Sequence, residues 1–94
     1  MVRVWDCTPT HSKEPFDVVL FCMLDGHGHV GTHIQKHHRE LIQCLSGCGS
    51  LRIGDQNVPF SFGHSYTIAN DTPITLHNDA EEPLLYTITK IALP

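Results

Sequence analysis

Histidine is the most frequent side chain in this sequence that could do chemistry. The chain has eight His, against six Lys plus Arg together. An imidazole takes and returns a proton near neutral pH and is a common ligand of transition metals. Adding eight positive charges to the net charge of −4 would give +4, so the chain should respond to pH. The fold decides which histidines enter a site and which are solvated loop residues. We expect the second role for His27, His29, His37 and His38.

Cysteine is the second reactive residue type. The four cysteines, at positions 7, 22, 44 and 48, include no C-x2-C pair, so the spacing argues against a structural zinc clip. We expect reduced thiols, several of them serving as small buried side chains.

Composition limits the partners. The acidic balance and the lack of a basic block argue against nucleic acid and anionic membranes as partners. The longest apolar run, residues 18–24, is too short to span a bilayer. Residues 1–15 are polar and contain two prolines, which is not the pattern of a signal peptide. The expectation is a cytoplasmic protein.

The elements that must position these groups are β-strands. Residues 16–24 and 84–93 form β-branched, apolar runs, and shorter ones lie at 51–53, 58–62, 66–68 and 74–76. Turn signals between them predict an all-β barrel or sandwich with little or no helix. We expect the strand at 51–53 to pair with the one before the turn at Gly47. Residues 1–94 then form a single domain, with 1–15 as a lead-in or edge strand and 16–93 as the barrel.

Residues 32–46 fit two structures. They contain neither Gly nor Pro, and Ile34, Leu41 and Leu45 fit a helical stripe. In a helix, His33 and His37 would share one face as a possible metal pair. In the strand alternative, the alternation places Glu40, Ile42 and Cys44 on one face. Local propensity leaves both structures open.

Two segments resemble the conserved motifs of the cupin superfamily. In residues 31–49, His33, Glu40 and Gly47 take motif positions, and Gln35 stands where the second histidine belongs. Residues 63–83 follow the shape of the second motif. There Gly63 and Asn78 match, Ala69 replaces the usual proline, and Ile74 occupies the position of the metal-binding histidine. The resemblance implies a single jelly-roll barrel, a double-stranded β-helix.

Within the cupins, the first segment is most similar to the nucleotide-sugar 3,4-ketoisomerases. His33, Lys36 and Gly47 match their pattern, but Glu40 replaces a glutamine and Pro73-Ile74 stands where they carry Trp-His.

The cupin register implies a ligand site inside the barrel. His33 and Glu40 would form an acid/base pair for tautomerisation or ketoisomerisation next to a carbonyl. The ligand contacts implied are Gln35, Lys36, Ile42, Cys44, Ile74, Leu76 and Asn78. The first hypothesis is therefore a metal-independent cupin that binds, and isomerises, a polar small molecule such as a sugar nucleotide or keto compound.

Two alternatives remain at this point. One is a cupin that binds a divalent transition metal through His33 and Glu40, helped by His27 or His29. Gln35 and Ile74 replace two histidines of the motifs, and the loss of these imidazoles argues against tight binding. The other is a non-catalytic binding or interaction module, which Ile74 favours. Under each alternative, the outward-pointing Leu41 and Leu45 predict a homodimer that buries the outer face.

Overall fold

The described residues of the chain are all strand, turn and loop. The computed structural model describes residues 1–9, 16–34, 36 and 38–92, which form nine strands and no helix. In chain order the strands are β1 (Val2–Asp6), β2 (Phe16–Leu24), β3 (His29–Ile34), β4 (His38–Ser46), β5 (Cys48–Ile53), β6 (Gln56–Ser61), β7 (Ser65–Ile68), β8 (Pro73–His77) and β9 (Leu84–Ala92). The predicted all-β architecture is confirmed.

The strands form two antiparallel sheets that pack face to face. One sheet has the order β1-β2-β9-β4-β7, and the other has the order β3-β8-β5-β6. Successive side chains of a strand point to opposite faces, so every second residue enters the core. The core consists of Cys22, Leu24, Ile42, Cys44, Leu51, Phe60, Ile68, Ile74, Leu76, Leu84 and Tyr86.

The ambiguous segment 32–46 contains strands. β4 lies between β7 and β9 and pairs with both, so its backbone is hydrogen-bonded on two sides. Ile42 and Cys44 are buried, whereas Ile34 and Leu45 of the supposed helical stripe are 51% and 43% exposed. Burial between two sheets therefore decides a conformation that local propensity leaves open. The helical alternative is wrong for β3 and β4. The His33–His37 metal pair built on it involves His37, which lies outside the described residues.

The expected hairpin of β4 with β5 does not form. β5 pairs with β6 and β8 in the other sheet, so the chain crosses between sheets at Gly47. Gly47 has φ of 101°, and a Cβ there would lie 2.9 Å from the carbonyl oxygen of Pro83. Only glycine adopts this conformation and fits this space without strain. The turn was correctly located, but the strand partner was wrong because turn residues do not specify which sheet follows.

β1 is an edge strand of the five-stranded sheet. It pairs with β2 along its full length, from Val2 opposite Leu24 to Asp6 opposite Leu20. The terminal ammonium of Met1 and the guanidinium of Arg3 lie 3.7 and 3.6 Å from the carboxylate of Asp25. Residues 2–6 of the N-terminal segment thus form this edge strand, and residues 10–15 lie outside the described part.

In the described ranges, no helix is long and apolar enough to cross a membrane.

Candidate functional site

A cavity of about 240 Å³ opens between the two sheets beside the edge strand β1. Five of its ten lining residues are aliphatic, and the other five carry a polar or ionisable group. The lining residues are Val2, Val4, Leu20, Cys22, Val30, His33, Glu40, Tyr86, Ile88 and Lys90. The volume is many times the roughly 10–15 Å³ that one water molecule needs, so a small organic molecule has room here.

A smaller apolar recess shares part of this lining. Its volume is about 20 Å³, and Ile42, Ile74 and Leu76 contribute to its walls together with Val30, His33, Tyr86 and Ile88. Three of the predicted ligand contacts, Ile42, Ile74 and Leu76, therefore lie next to His33. They provide apolar surface and no hydrogen-bonding group.

A bulge in β3 turns His33 into the barrel. Val30 pairs with Leu76, and His33 pairs with Ile74, with a register irregularity between them. In a regular strand, residues three apart point to opposite faces, but both Val30 and His33 line the cavity. The bulge thus re-aims one side chain, a common role of bulges next to functional sites.

Glu40 is the buried acid of the cavity. It is only 1% exposed, and its Oε1 lies 3.3 Å from Nε2 of His33, whose side chain is 38% exposed. Its other oxygen, Oε2, is the one buried side-chain nitrogen or oxygen atom within residues 1–9, 16–34, 36 and 38–92 that has no hydrogen-bond partner. A buried polar atom without a partner costs about 1–3 kcal/mol, and more when it carries charge. Such a cost is typical of a group kept for binding or catalysis.

Lys90 brings a second charge to the same wall. Its Cα is the register partner of Glu40 across β4 and β9, and its side chain lines the cavity. Directly opposite residues of an antiparallel pair project to the same face. The cavity therefore presents an imidazole, a carboxylate and an ammonium group on otherwise apolar walls.

Cys22 and Tyr86 form a neutral pair in the cavity wall. Burial raises the pKa of the Cys22 thiol, and a hydrogen bond with Tyr86 offsets part of that rise. Burial, followed by the effect of the neighbouring thiol, raises the pKa of the Tyr86 phenol. Both groups therefore keep their protons at neutral pH, and Cys22 is not an activated nucleophile.

Three other predicted ligand contacts do not line the cavity. Lys36 is exposed in the connection between β3 and β4. Cys44 is buried, but its thiol lies near the carbonyl oxygens of Ser46 and Gly47 at the β4–β5 crossing. The Asn78 amide nitrogen donates to the backbone oxygens of Leu24, Asp25 and Glu82, so its role is to hold loops together. Gln35 lies outside the described residues.

The metal site of the cupin motifs does not assemble from the residues described. His33 and Glu40 come together, but His27 and His29 do not join them. His27 lies in the turn before β3 with φ of 59°, and His29 is exposed and points away from the barrel, opposite to its neighbour Val30. No group of three or more His, Cys, Asp or Glu side chains able to hold an ion occurs in this part of the chain. Two protein ligands are fewer than the three or four that a tight site uses, and help from the loop histidines stays a prediction.

Several lining residues were missed by sequence analysis. Tyr86, Ile88 and Lys90 alternate along β9, and period-two counting from Leu84 could have placed them on the inner face. Val2 and Val4 could not have been found in this way, because nothing in the short polar lead-in indicates that it closes the cavity.

Comparison with known proteins gives the fold. No protein-family model matches the chain, and no curated protein matches it. Solved structures match over nearly the whole chain. A Thermotoga maritima protein described as a predicted oxalate decarboxylase has a TM-score of 0.86 at 20% identity, covering 98% of this chain and 81% of its own. A Cupin 2 conserved barrel domain protein from Salinispora arenicola gives 0.83 at 18% identity, covering 96% and 75%.

A third similar structure covers both chains almost completely. It is the Cupin 2 domain of a transcriptional regulator from Enterobacter cloacae, with a TM-score of 0.84 at 14% identity and coverage of 99% and 98%. Together with the two-sheet architecture, these similarities show that the chain has the cupin fold, a single jelly-roll barrel. Because cupin-like barrels carry unrelated activities, the fold by itself assigns no reaction.

Proposed function

We propose that this small cupin binds a small polar molecule in the cavity beside β1 and that His33 and Glu40 move a proton on it. The observation that carries the proposal is Oε2 of Glu40, a buried carboxylate oxygen with no hydrogen-bond partner in the described part of the chain. A ligand that donates a hydrogen bond to this atom removes the cost of leaving it unpaired.

The walls suggest the chemistry of the ligand. Val4, Leu20 and Ile88 offer apolar surface to a short carbon skeleton. Glu40 accepts a hydrogen bond from a hydroxyl group, and Lys90 attracts a carbonyl or carboxylate oxygen. A small hydroxy-ketone or keto acid, free or as the sugar end of a larger molecule, combines these features.

The reaction that suits these groups is isomerisation next to a carbonyl. A base, His33 in this proposal, removes the proton from a carbon that carries a hydroxyl group beside the carbonyl. The electron pair left behind forms an enediolate, whose oxygen charge the Lys90 ammonium stabilises. Glu40 takes the proton of the hydroxyl group and passes it to the former carbonyl oxygen, and His33 returns the carbon-bound proton to the neighbouring carbon. The substrate and product are isomers, so no oxidant or other reactant is consumed. Glu40, 3.3 Å from the imidazole, orients the ring towards the substrate.

Similarity to other proteins supports this proposal in part. The resemblance of residues 31–47 to the nucleotide-sugar ketoisomerases favours an isomerase. The name of the Thermotoga maritima protein indicates a decarboxylase, but 20% identity transfers the fold and not that activity.

A ligand screen tests the proposal. Hydroxy-ketones, keto acids and sugar nucleotides are added singly, and the melting temperature is measured, followed by NMR assay of any hit for isomerisation. We expect a hit to raise the melting temperature of the wild type and of Glu81→Gln, an exposed acidic control, but not of Glu40→Gln. His33→Gln should still bind the ligand and lose turnover. A screen without any hit contradicts the proposal.

A non-catalytic binding module is the second candidate, and Ile74 favours it. This buried side chain faces His33 in the register of β3 and β8, at the position where the cupin motif has a ligating histidine. This candidate is supported by a ligand that raises the melting temperature of the wild type and of His33→Gln, but not of Glu40→Gln, and that none of these proteins converts.

We also propose a homodimer formed through the outer face of the five-stranded sheet. Trp5 and Leu45 are 45% and 43% exposed there, and the rings of Trp5 and Phe21 lie 5.5 Å apart. Exposed apolar surface of this kind commonly marks an interface. Sedimentation at micromolar concentration should give a dimer, and a single monomeric species contradicts it.

The four free cysteines suit the reducing conditions of a cytoplasmic location.

A further inference from the structure

Two histidines meet on the outside of the four-stranded sheet, away from the cavity. His29 on β3 and His77 on β8 are Cα partners in the antiparallel register. Their rings lie 5.7 Å apart between centroids, with planes inclined by 24°. Both residues are exposed, and their neighbours Val30 and Leu76 point into the barrel. The pair therefore belongs to a different surface from His33 and Glu40.

We propose that His29 and His77 form a two-ligand site for a late first-row divalent ion, such as Ni²⁺, Cu²⁺ or Zn²⁺. Imidazole nitrogens are favoured ligands of these ions, and they bind at about 2.0–2.1 Å. A coordinating nitrogen holds the ion in the plane of its own ring, so the two stacked rings, with centroids 5.7 Å apart, reach a shared ion when each exposed side chain turns to aim one nitrogen at it. Because both side chains start from directly opposed positions of paired strands, the backbone already holds them on one side of the sheet.

The surroundings of the pair favour a cation. Ser50 is the register partner of His77 on the other side of β8, so its side chain projects to the same outer face. The Ser50 hydroxyl donates a hydrogen bond of 3.3 Å to the Asp79 carboxylate. This places a negative charge one strand away from His77 and two strands away from His29, and the net charge of the chain is −4. The remaining coordination positions of the ion are open to water.

The site exists only in the folded chain. His29 and His77 are far apart in the sequence and are brought together by the pairing of β3 with β8. An ion that binds both rings therefore binds the folded state more tightly than the unfolded state and raises the melting temperature. This linkage separates the proposed site from loose binding to single histidines, which the unfolded chain also offers.

Nickel titration tests the proposal. Ni²⁺ is chosen because imidazole is a favoured ligand of this ion. Cu²⁺ is avoided because it would also oxidise the exposed thiols of Cys7 and Cys48. Calorimetry and thermal unfolding are carried out on the wild type, His29→Gln and His77→Gln. His27→Gln, at an exposed position two residues from His29, is the matched control, and His33→Gln reports on the cavity.

We expect one equivalent of Ni²⁺ on the wild type and on both control variants, with a rise in melting temperature. His29→Gln and His77→Gln should each bind at least about tenfold more weakly, as loss of a metal contact commonly causes. Equal affinity in all five proteins overturns the proposal, as does loss of binding in His33→Gln alone.

A second measurement uses only the wild-type protein. Paramagnetic Ni²⁺ at substoichiometric concentration should broaden the NMR signals of the His29 and His77 rings before those of the other histidines. Uniform broadening of all histidine signals contradicts a site at this pair.

Discussion

The imidazole of His33 on β3 reaches across the barrel to the carboxylate of Glu40 on β4, with Nε2 and Oε1 3.3 Å apart. The two strands belong to different sheets, so the contact exists only once the sheets have packed. Because the other oxygen of Glu40 is buried without a partner in the described part of the chain, this contact leaves half of the carboxylate available to a ligand.

Replacing Glu40 with glutamine should stabilise the ligand-free protein. The glutamine amide has nearly the same shape as the carboxylate and keeps an oxygen that faces His33. The substitution also removes the negative charge of a buried carboxylate, one of whose oxygens has no hydrogen-bond partner in the described part of the chain. We expect the free energy of unfolding to rise by about 1 kcal/mol, measured by urea denaturation. Glu81→Gln, at an exposed site, should change it by less than about 0.5 kcal/mol. A lower stability of Glu40→Gln would show that the carboxylate is satisfied in the folded protein.

Replacing Ile74 with histidine should create a metal site inside the barrel. Ile74 is the Cα partner of His33, so the new ring would join His33 and Glu40 as a third donor. We expect the polar ring to lower the stability of the metal-free protein by about 1–3 kcal/mol, and Zn²⁺ to restore it. The measurement is the melting temperature with and without Zn²⁺, in a His77→Gln background that removes the outer pair. No gain with Zn²⁺ would contradict the inward orientation of both positions.

Asn78→Ala should be strongly destabilising. The Asn78 side chain is buried, donates to three backbone oxygens and accepts a hydrogen bond from the amide of Ala80. Its loss leaves several buried groups unpaired, and we expect a cost of about 3 kcal/mol in chemical denaturation. Asn57→Ala, at an exposed position of β6, is the control and should be close to neutral. A small effect at Asn78 would mean that water replaces these hydrogen bonds.

The four thiols should react at two different rates. Cys7 and Cys48 are exposed, whereas Cys22 and Cys44 are buried. Burial also raises the pKa of Cys22 and of Cys44, so little of the reactive thiolate is present at neutral pH. Ellman's reagent should modify two thiols rapidly in the folded protein and the other two only as it unfolds. Cys7→Ser should remove one rapid equivalent, and Cys22→Ser should remove none.

Stability should fall at alkaline pH. The folded-state pKa of Cys22 is raised above 9.0, its usual value. The unfolded chain therefore releases this proton first, and stability is lost as pH rises from about 9 through the higher folded value. Tyr86, whose pKa is also raised, acts in the same direction at higher pH. Between pH 7 and 10, the denaturation midpoint should decline less in Cys22→Ser than in the wild type. The serine hydroxyl can still form a hydrogen bond with Tyr86, but it does not titrate in this pH range. Equal declines would contradict this origin.

Much of the barrel could be predicted from local sequence. The β-branched, apolar runs of β2 and β9 and the turn at Gly47 depend on neighbours in the chain, and they predict these strands and the all-β class, whereas local sequence leaves β4 open between helix and strand. The resemblance of residues 31–49 to the cupin motif implies the two groups, His33 and Glu40, that meet in the cavity. The partner of β5 could not be predicted in this way, because a turn fixes where the chain bends and not which sheet it joins.

What the sequence determined by itself is therefore the set of β-branched, apolar runs that select most of the strands, and the supply of imidazole, carboxylate and thiol groups along the chain. Tertiary structure alone decided which of these groups meet. The bulge in β3 turned His33 inward, the packing of β1 closed the cavity with Val2 and Val4, and the pairing of β3 with β8 set His29 beside His77. Each of these contacts joins residues distant in the chain, whose approach depends on burial and strand pairing across the whole barrel rather than on local propensity.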